Sequence, residues 1–321
     1  MFRNIKYTSF YTYSNGVILD GNVVLSASHI IYDIIKKYPI PSHLTNVKIV
    51  KNTSLEEADN NLVFTGVDSN GKTQYFYGES FVDARKTSKK SIFVESAKVI
   101  DDIMTKVDTR LQDPNQVIDS DFIISTIILL ELKTFIRLGK QISFDIYQSI
   151  GIRTLKKAHF TFTKDGVDIS FIGKSQVSHV FQIPKDNKLL IKCLKLLYTQ
   201  NTNSDFIFAL EGCDKPISEY KINKFLRSYK LTFKNLRTYG CNIIFLKHFY
   251  EIYMKRTDKE SLKKIVNKAI KEAALDIGHS VSISKGSYLV EDLISHLNTT
   301  IEKLEENSSY EEFLSYFIDT L

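Results

Sequence analysis

The chain has 321 residues, of which 43% are hydrophobic, so it can bury at least one sizeable core and is expected to form two domains. The formal net charge is +6, from 43 Lys and Arg against 37 Asp and Glu, which favours a polyanionic partner without proving one. Cationic side chains cluster at residues 85–90, 221–234 and 255–271. Such clusters suit contacts with phosphates, although a single run of lysines is more often a solvated helix face.

Cysteine usage and hydropathy exclude several classes of protein. The three cysteines are widely spaced and odd in number, so we expect neither a disulfide framework nor a metal site, and a reducing compartment fits. The longest apolar run, residues 122–130, contains Ser125 and Thr126 and is too short to span a bilayer. The first residues lack the apolar stretch of a signal peptide, so we expect no secretion and no membrane segment.

The first 85 residues have the pattern of strands joined by short helices. Apolar, β-branched segments lie at residues 16–25 and 47–50, and Ser54-Leu55-Glu56-Glu57 has the pattern of a capping box that begins a helix. We therefore predict a small strand-rich domain over residues 1–85, followed by a linker at the basic stretch 85–90.

Residues 66–73 read G-V-D-S-N-G-K-T and match the P-loop pattern of nucleotide-binding proteins. That motif requires a helix that begins at its Lys-Thr, because the helix N-terminus binds the phosphates. Here the strand-forming residues 74–77 follow, and together with residues 62–64 they flank Asn70-Gly71, a strong hairpin signal. We predict a β-hairpin at this place and no nucleotide cofactor.

Beyond residue 90 the apolar spacing is mainly helical. Strand-like segments at residues 159–163, 167–172 and 177–183 predict a three-stranded antiparallel sheet. The predicted class is α+β, with a small strand-rich N-terminal domain and a larger, mainly helical domain over residues 86–321 that carries the sheet. Helices are expected near residues 92–108, 119–138, 185–200, 216–228, 236–256, 259–276, 286–304 and 308–320.

Four stretches contain residue types that phosphodiester chemistry requires: arginines for phosphate oxygens, a lysine as proton donor and a tyrosine as nucleophile. They are F-I-R-L-G-K at 135–140, F-I-G-K at 171–174, K-N-L-R-T-Y-G at 234–240, and residues 278–288. Their order, with nine residues from His279 to Tyr288, resembles the active-site boxes of poxvirus type IB DNA topoisomerases. Residues 41–45 and 74–78 are also similar to that family, so the resemblance covers nearly the whole chain.

The resemblance implies an enzyme that relaxes supercoiled double-stranded DNA by cutting and rejoining one strand, without metal, ATP or another cofactor. Tyr288 would attack the phosphorus and form a 3′-phosphotyrosyl intermediate that keeps the bond energy for rejoining. Arg137, Arg237 and His279 would donate to the non-bridging oxygens. Lys174, at the second turn of the predicted sheet, would protonate the departing 5′ oxygen.

Taken singly, these residues are weak signals, and their order and spacing carry the inference. The chain has 17 tyrosines, and a lone histidine is more often structural, which is how we interpret His159 and His179. Arg137 near the end of an apolar helix could simply bind the last helical carbonyls. Lys174 by itself would be an ordinary exposed lysine in a turn.

The amino-terminal domain contains candidate DNA contacts. Gln74 can bind adenine in the major groove, while Tyr75 and Tyr77 can reach phosphates or pack on a thymine methyl. Strand alternation places the two tyrosines on one face and Gln74 on the other, so both faces read DNA equally only if the strand twists or bulges. The alternative is a hairpin face that packs on its own domain. The resemblance implies further backbone contacts at Arg85, Lys140, Lys234 and Asn242.

The sequence departs from the family's pattern at two places. Gly286-Ser287 precede the tyrosine where a bulkier, more basic pair is usual. Gln141-Ile142-Ser143 lack the basic and aromatic residues that often follow the lysine at this position. The preferred cleavage sequence therefore stays open.

The alternative function is that of a tyrosine site-specific recombinase, which shares the nucleophile and both arginines. Recombinases usually have a histidine three residues before the second arginine, where this chain has Lys234. A non-catalytic DNA-binding protein would not need His279 and Tyr288 in register.

We expect a monomer with two lobes around duplex DNA. Heavy use of Ile, Lys and Asn favours the A+T-rich genome of a large DNA virus, which would place the protein in the virion or the host-cell cytoplasm.

Overall fold

The computed structural model describes residues 9–14, 16–200, 202–256, 260–278, 280–301 and 309–321. The chain forms two compact units, Met1–Ser88 and Lys89–Leu321. The first is strand-rich and the second is mainly helical with a three-stranded antiparallel sheet, so the predicted α+β class is confirmed.

The first unit contains a six-stranded antiparallel sheet and two short helices, α1 (Ile30–Lys37) and α2 (Leu55–Asn60). Ile31 and Ile34 of α1 and Ala58 of α2 are buried against the sheet residues Ile49 and Phe64. The strands are β1 (Phe10–Ser14), β2 (Val17–Asp20), β3 (Val23–Val24), β4 (Thr45–Val50), β5 (Leu62–Val67) and β6 (Thr73–Tyr77), in the order β3-β2-β1-β4-β5-β6.

Strands β5 and β6 form the predicted hairpin. Gly71 has a φ of 73°, the left-handed conformation that favours glycine, and the Asp68 carboxylate accepts the N–H groups of Asn70 and Lys72 at 2.9 Å each. A strand begins at Thr73, where a P-loop requires a helix. The hairpin prediction is confirmed, and β6 is an edge strand of the sheet.

Helix α3 (Glu79–Gln112) is continuous over 34 residues and includes the basic stretch 85–90. The prediction of a linker there is wrong. Residues 79–112 contain neither glycine nor proline, and lysine and arginine are good helix formers, so nothing in this stretch interrupts the helix. The boundary between the two compact units falls within α3.

The second unit contains most of the predicted helices, but the one expected at residues 286–304 is broken. Over this range the chain has the end of a π-helix (Ser284–Tyr288), then Leu289 and Val290 in extended conformation, then α11 (Glu291–Thr300). The short helix α10 (Val281–Ile283) precedes the π-helix. The other helices are α4 (Ser120–Thr134), α5 (Gln141–Tyr147), α6 (Lys188–Gln200), α7 (Glu219–Arg227), α8 (Phe233–Met254), α9 (Leu262–Asp276) and α12 (Tyr310–Thr320).

The three-stranded sheet of this unit is also confirmed, in the order β7-β8-β9. Strands β7 (Phe160–Phe162), β8 (Gly166–Ile172) and β9 (Ser178–Pro184) are antiparallel. The register of β8 and β9 runs from Gly166 opposite Pro184 to Ile172 opposite Ser178. A turn at residues 173–177 closes this hairpin and carries Lys174.

Among the described residues, two large apolar clusters stabilise the second unit, and a smaller one consists of Phe135, Cys241, Ile277 and Tyr288. The first surrounds α4, which is buried nearly all round, and includes residues of α6, α7, α8 and the sheet. The second joins α8, α9, α11 and α12 through residues such as Phe249, Ala269, Leu293 and Phe313. Within the described ranges, no helix is both long enough and apolar enough to cross a membrane.

Gly240 of α8 packs closely against the residue that ends α4. A Cβ atom there would lie 1.7 Å from Cε1 of Phe135, the residue that follows α4. We expect Gly240→Ala to lower the free energy of unfolding by about 1–3 kcal/mol, because the ring must move, although alanine itself favours a helix. Urea denaturation monitored by circular dichroism measures this change.

Gly286→Ala is the matched control, because a Cβ atom at residue 286 would meet nothing within 4 Å. Its unfolding midpoint should equal or exceed that of the wild type. Equal midpoints for the two variants would contradict the close packing of α4 on α8.

Candidate active site

Three of the five predicted catalytic residues lie together. Arg137 Nε donates to the Tyr288 hydroxyl at 3.4 Å, and the guanidinium carbon of Arg237 lies 5.2 Å from the centroid of the Tyr288 ring. Tyr288 is 7% exposed and Arg237 5%, while Arg137 is half-buried. A phenol thus lies beside two guanidinium groups.

The end of α4 places Arg137. Phe135 adopts a φ of 50°, and its N–H donates to the Glu131 carbonyl, so the chain leaves the helix abruptly after Thr134. The Arg137 carbonyl then accepts the N–H of Ile152 at 2.7 Å. The backbone of Arg137 is therefore fixed from both sides.

Arg237 lies in the second turn of α8. The side chains of Thr232 and Asn235 form a capping box at the start of this helix. Glu131 on α4 is fully buried, and neither of its carboxyl oxygens has a hydrogen-bond partner among the described residues. Burial raises the pKa of the Glu131 carboxyl well above its usual range, and the charge of Arg237 opposes that rise. The environment of Arg237 therefore includes the buried carboxyl group of Glu131.

Tyr288 is the last residue of the π-helix, and a neighbouring helix holds it there. Asn242 of α8 donates through Nδ2 to the carbonyls of Tyr288 at 3.1 Å and Thr238 at 2.7 Å, and its Oδ1 accepts the N–H of Val290 at 3.1 Å. The backbone on both sides of Tyr288 is therefore fixed to α8. From α3, Lys89 Nζ donates to the Gly286 carbonyl at 2.8 Å.

This placement does not fit the predicted contact between Asn242 and the DNA backbone. The side chain is 0% exposed and both ends of its amide are bonded to main-chain groups. Its position on α8 was predicted correctly, but its environment depends on the π-helix, which no sequence pattern indicated.

Lys174 is exposed in the turn between β8 and β9. The turn is closed by the Gly173 N–H, which donates to the Val177 carbonyl at 2.8 Å, and Gln176 Nε2 donates to the Tyr147 carbonyl at 3.2 Å. No contact among the described residues joins the Lys174 side chain to Tyr288. The remaining predicted catalytic residue, His279, lies outside the described residues.

His179, which we interpreted as structural, lies close enough to Arg237 and Arg137 for their charges to act on it. Its ring stacks on Phe171 and Phe181 with centroid distances of 5.2 Å and 5.8 Å. Burial lowers the pKa of His179 below its usual value, and the charges of Arg237 and Arg137 lower it further. In the sheet, residue 179 of β9 pairs with residue 171 of β8. The sequence signal available for the position of His179 was the predicted pairing of these two strands.

The candidate DNA contacts of the first unit differ in exposure. Tyr75 is 58% exposed on the edge strand β6, whereas Tyr77 is half-buried and stacks on Phe81 at 4.5 Å. Gln74 is exposed and donates to the Asp68 carboxylate at 2.6 Å. Arg85 is exposed on α3, with its guanidinium carbon 5.9 Å from the centroid of the Phe81 ring. All four contacts stay predictions.

In the second unit, Lys140 at the start of α5 and Lys234 in the first turn of α8 are exposed. Their contacts with DNA also stay predictions. Across the part of the chain that the structure describes, no group of three or more His, Cys, Asp or Glu side chains is placed to hold a metal ion.

Comparison with known proteins agrees with this geometry. The family model described as the catalytic core of eukaryotic DNA topoisomerase I matches residues 80–312, and the model of the N-terminal part of viral DNA topoisomerase I matches residues 10–66. DNA topoisomerase 1 of rabbit fibroma virus (strain Kasza) is 31% identical over 314 residues, and DNA topoisomerase 1B of vaccinia virus (strain Copenhagen) is 31% identical over 311 residues.

Both alignments cover 96% of this chain and 96% of the relative. DNA topoisomerase 1B of Acanthamoeba polyphaga mimivirus is 25% identical over 291 residues, which are 86% of this chain and 80% of the relative. These matches confirm the resemblance found in the sequence. The chain belongs to the viral type IB DNA topoisomerases, the family that includes the poxvirus enzymes.

Proposed function

We propose that this protein relaxes supercoiled duplex DNA by cutting and rejoining one strand through a covalent intermediate on Tyr288. The observation that carries the proposal is the contact of the Tyr288 hydroxyl with Arg137 beside Arg237, in a chain of the topoisomerase family. A nucleophile of this kind needs positive charge beside it, both for its own oxygen and for the phosphate that it attacks.

The first step is an attack of the Tyr288 oxygen on the scissile phosphorus. A bond forms between that oxygen and phosphorus, the bond from phosphorus to the 5′ oxygen breaks, and the tyrosine proton passes to solvent water. The two guanidinium groups stabilise the negative charge that grows on the non-bridging oxygens. Lys174 gives a proton to the departing 5′ oxygen, which leaves as a hydroxyl. We assign His279 the role of a further donor to the phosphate.

Rejoining is the reverse reaction, in which the 5′ hydroxyl attacks the phosphotyrosine. The phosphotyrosyl bond retains the energy of the broken phosphodiester, so the cycle needs no nucleotide. The charge that a metal would supply comes from the arginines, so we propose a reaction without metal. Gln74, Tyr75, Tyr77, Arg85, Lys140 and Lys234 are the proposed DNA contacts.

We propose further that the protein acts as a monomer, with its N-terminal DNA-binding domain at residues 1–85 and its catalytic domain at 86–321. Its place of action would be the virion or the cytoplasm of the host cell. The viral origin of its relatives supports this location.

The nucleophile is tested by relaxation of supercoiled plasmid in EDTA without ATP. The wild type should relax the plasmid and form a covalent adduct that denaturant traps, and Tyr288→Phe should lose both, because it lacks the attacking oxygen. Tyr220→Phe, at a tyrosine that is 63% exposed, is the control and should keep both activities. Relaxation that requires Mg²⁺ and ATP and survives Tyr288→Phe would contradict the proposal. Strand exchange between two specific sites without relaxation would favour a recombinase.

The proposed phosphate-binding role of Arg137 predicts that its removal slows the cleavage step. Arg137→Ala should slow single-turnover cleavage of a duplex by about 10²- to 10³-fold, because one donor to the transition state is removed. Lys98→Ala removes a positive charge at an exposed position of α3 outside the three basic clusters, and this control should cleave at the wild-type rate. Equal rates for Arg137→Ala and the wild type would exclude this role.

Asn242 gives a third test, because its amide holds the backbone on both sides of Tyr288. Asn242→Ala should lower the free energy of unfolding by about 1–3 kcal/mol, since buried main-chain groups lose their partner, and should slow cleavage. Its affinity for an uncleavable duplex, measured by fluorescence anisotropy, should equal that of the wild type. A weaker affinity with an unchanged cleavage rate would restore the predicted DNA contact.

A further inference from the structure

The proposed proton donor, Lys174, is carried by an exposed turn, although proton transfer demands a defined position. A general acid must come within about 2.6–3.2 Å of the oxygen that it protonates. That oxygen is attached to the same phosphorus that Tyr288 attacks. A side chain of the fold that packs against this turn can therefore set its position relative to the arginines.

The His179 ring lies directly against the backbone of this turn. A Cβ atom on Gly173, the residue before Lys174, would lie 2.7 Å from Cδ2 and 2.8 Å from Nε2 of His179. Real side chains do not approach so closely, so the imidazole occupies the space beside this glycine. The ring is itself held in a stack, at an interplanar angle of 26° to Phe171 and 10° to Phe181. His179 is thus a rigid support for the turn.

The same ring also contacts the segment that precedes the nucleophile. A Cβ atom on Gly278 would lie 2.5 Å from Nδ1 of His179. Gly278 ends the turn after α9 and precedes α10, which leads into the π-helix of Tyr288. One imidazole therefore separates the backbone that carries the proposed acid from the backbone that leads to the nucleophile.

The charge state of His179 suits this position. Burial lowers the pKa of His179, and the charges of Arg237 and Arg137 lower it further, which favours the neutral ring. A neutral ring supports the turn without adding positive charge beside the two guanidinium groups.

We propose that His179 is a positioning residue, whose ring fixes the Lys174 turn at the distance from the arginines at which the lysine reaches the leaving oxygen. The inference rests on the proposed function and deepens it, because it assigns the placement of the acid to a side chain outside the active-site boxes. His179 itself transfers no proton in this scheme.

A duplex whose scissile 5′ oxygen is replaced by sulfur provides the test. A thiol is far more acidic than an alcohol, so the thiolate departs without a proton from Lys174. We expect His179→Ala to slow single-turnover cleavage of the ordinary duplex about 10- to 100-fold, as displacements of about 1 Å do. The His179→Ala variant should cleave the sulfur-containing duplex at nearly the wild-type rate. Lys174→Ala should show the same pattern, with a larger loss of rate on the ordinary duplex.

Val180→Ala is the matched control, since Val180 is the next residue of β9 and is 71% exposed. It should cleave both duplexes as the wild type does. Gly173→Ala changes the other partner of the same contact. Its methyl group should displace the turn, so this variant should also slow cleavage of the ordinary duplex only. In the double variant with His179→Ala the methyl group has room, so the two defects should not multiply.

A His179→Ala variant that slows both duplexes equally, or neither, would overturn the inference while leaving the proposed function intact. Defects that multiply in the double variant would also overturn it. Melting temperatures establish that each variant is folded, and Gly173→Ala carries the same test should His179→Ala not fold. A wild-type protein that cleaves neither duplex would refute the proposed function itself and the inference with it.

Discussion

The active site depends on bringing two permanent cations to one buried phenol. Arginines repel each other, and their burial costs free energy, so the contacts of Arg137 and Arg237 with Tyr288 persist only because the surrounding chain is fixed. In the proposed mechanism, the scissile phosphate brings negative charge to these two guanidinium groups. The same constraint explains why the site needs no metal in the proposed mechanism, since the positive charge is already in place before DNA binds.

Three features supply that fixation, and each belongs to a different part of the second unit. The left-handed residue Phe135 ends α4 and packs its ring on Gly240 of α8, which sets the separation of the segments that carry the two arginines. Asn242, less than two turns beyond Arg237, holds the backbone on both sides of Tyr288. The His179 ring fills the space between Gly173 and Gly278. Arg137 and Tyr288 are separated by 151 positions in the sequence. Helix α8 carries Arg237, packs against the Phe135 ring at Gly240 and binds the backbone beside Tyr288 through Asn242.

Local rules predicted the features that local chemistry determines. Asn70-Gly71 specified the hairpin of β5 and β6, and the alternation of apolar residues specified the sheet that carries Lys174. The active-site boxes were recognised from their order, which is a property of the family and not of any single residue. The absence of glycine and proline could have predicted that α3 continues through residues 85–90, but the charge of that stretch suggested a linker instead.

The features that were missed arise from tertiary contacts. The π-helix before Tyr288 is stabilised by Asn242 and Lys89, which lie 46 and 197 residues from their partners in the sequence, so no window of the sequence indicates it. In the sequence, His179 is an ordinary residue of a strand. Its position near the arginines follows from the register of the sheet and from its contact with Gly278, which lies far away in the sequence. The burial of Asn242 likewise follows from the extended residues Leu289 and Val290, which interrupt the helix predicted at residues 286–304.

The most direct test of the central claim is to identify the atom to which DNA becomes attached. The wild-type protein is incubated with a duplex that carries a cleavage site and denatured, the covalent complex is digested with protease and nuclease, and the linked peptide is sequenced by mass spectrometry. The account predicts one modified residue, Tyr288, joined through its oxygen to a 3′ phosphate, with a free 5′ hydroxyl on the released strand. Attachment at another side chain, or through a 5′ phosphate, would contradict it.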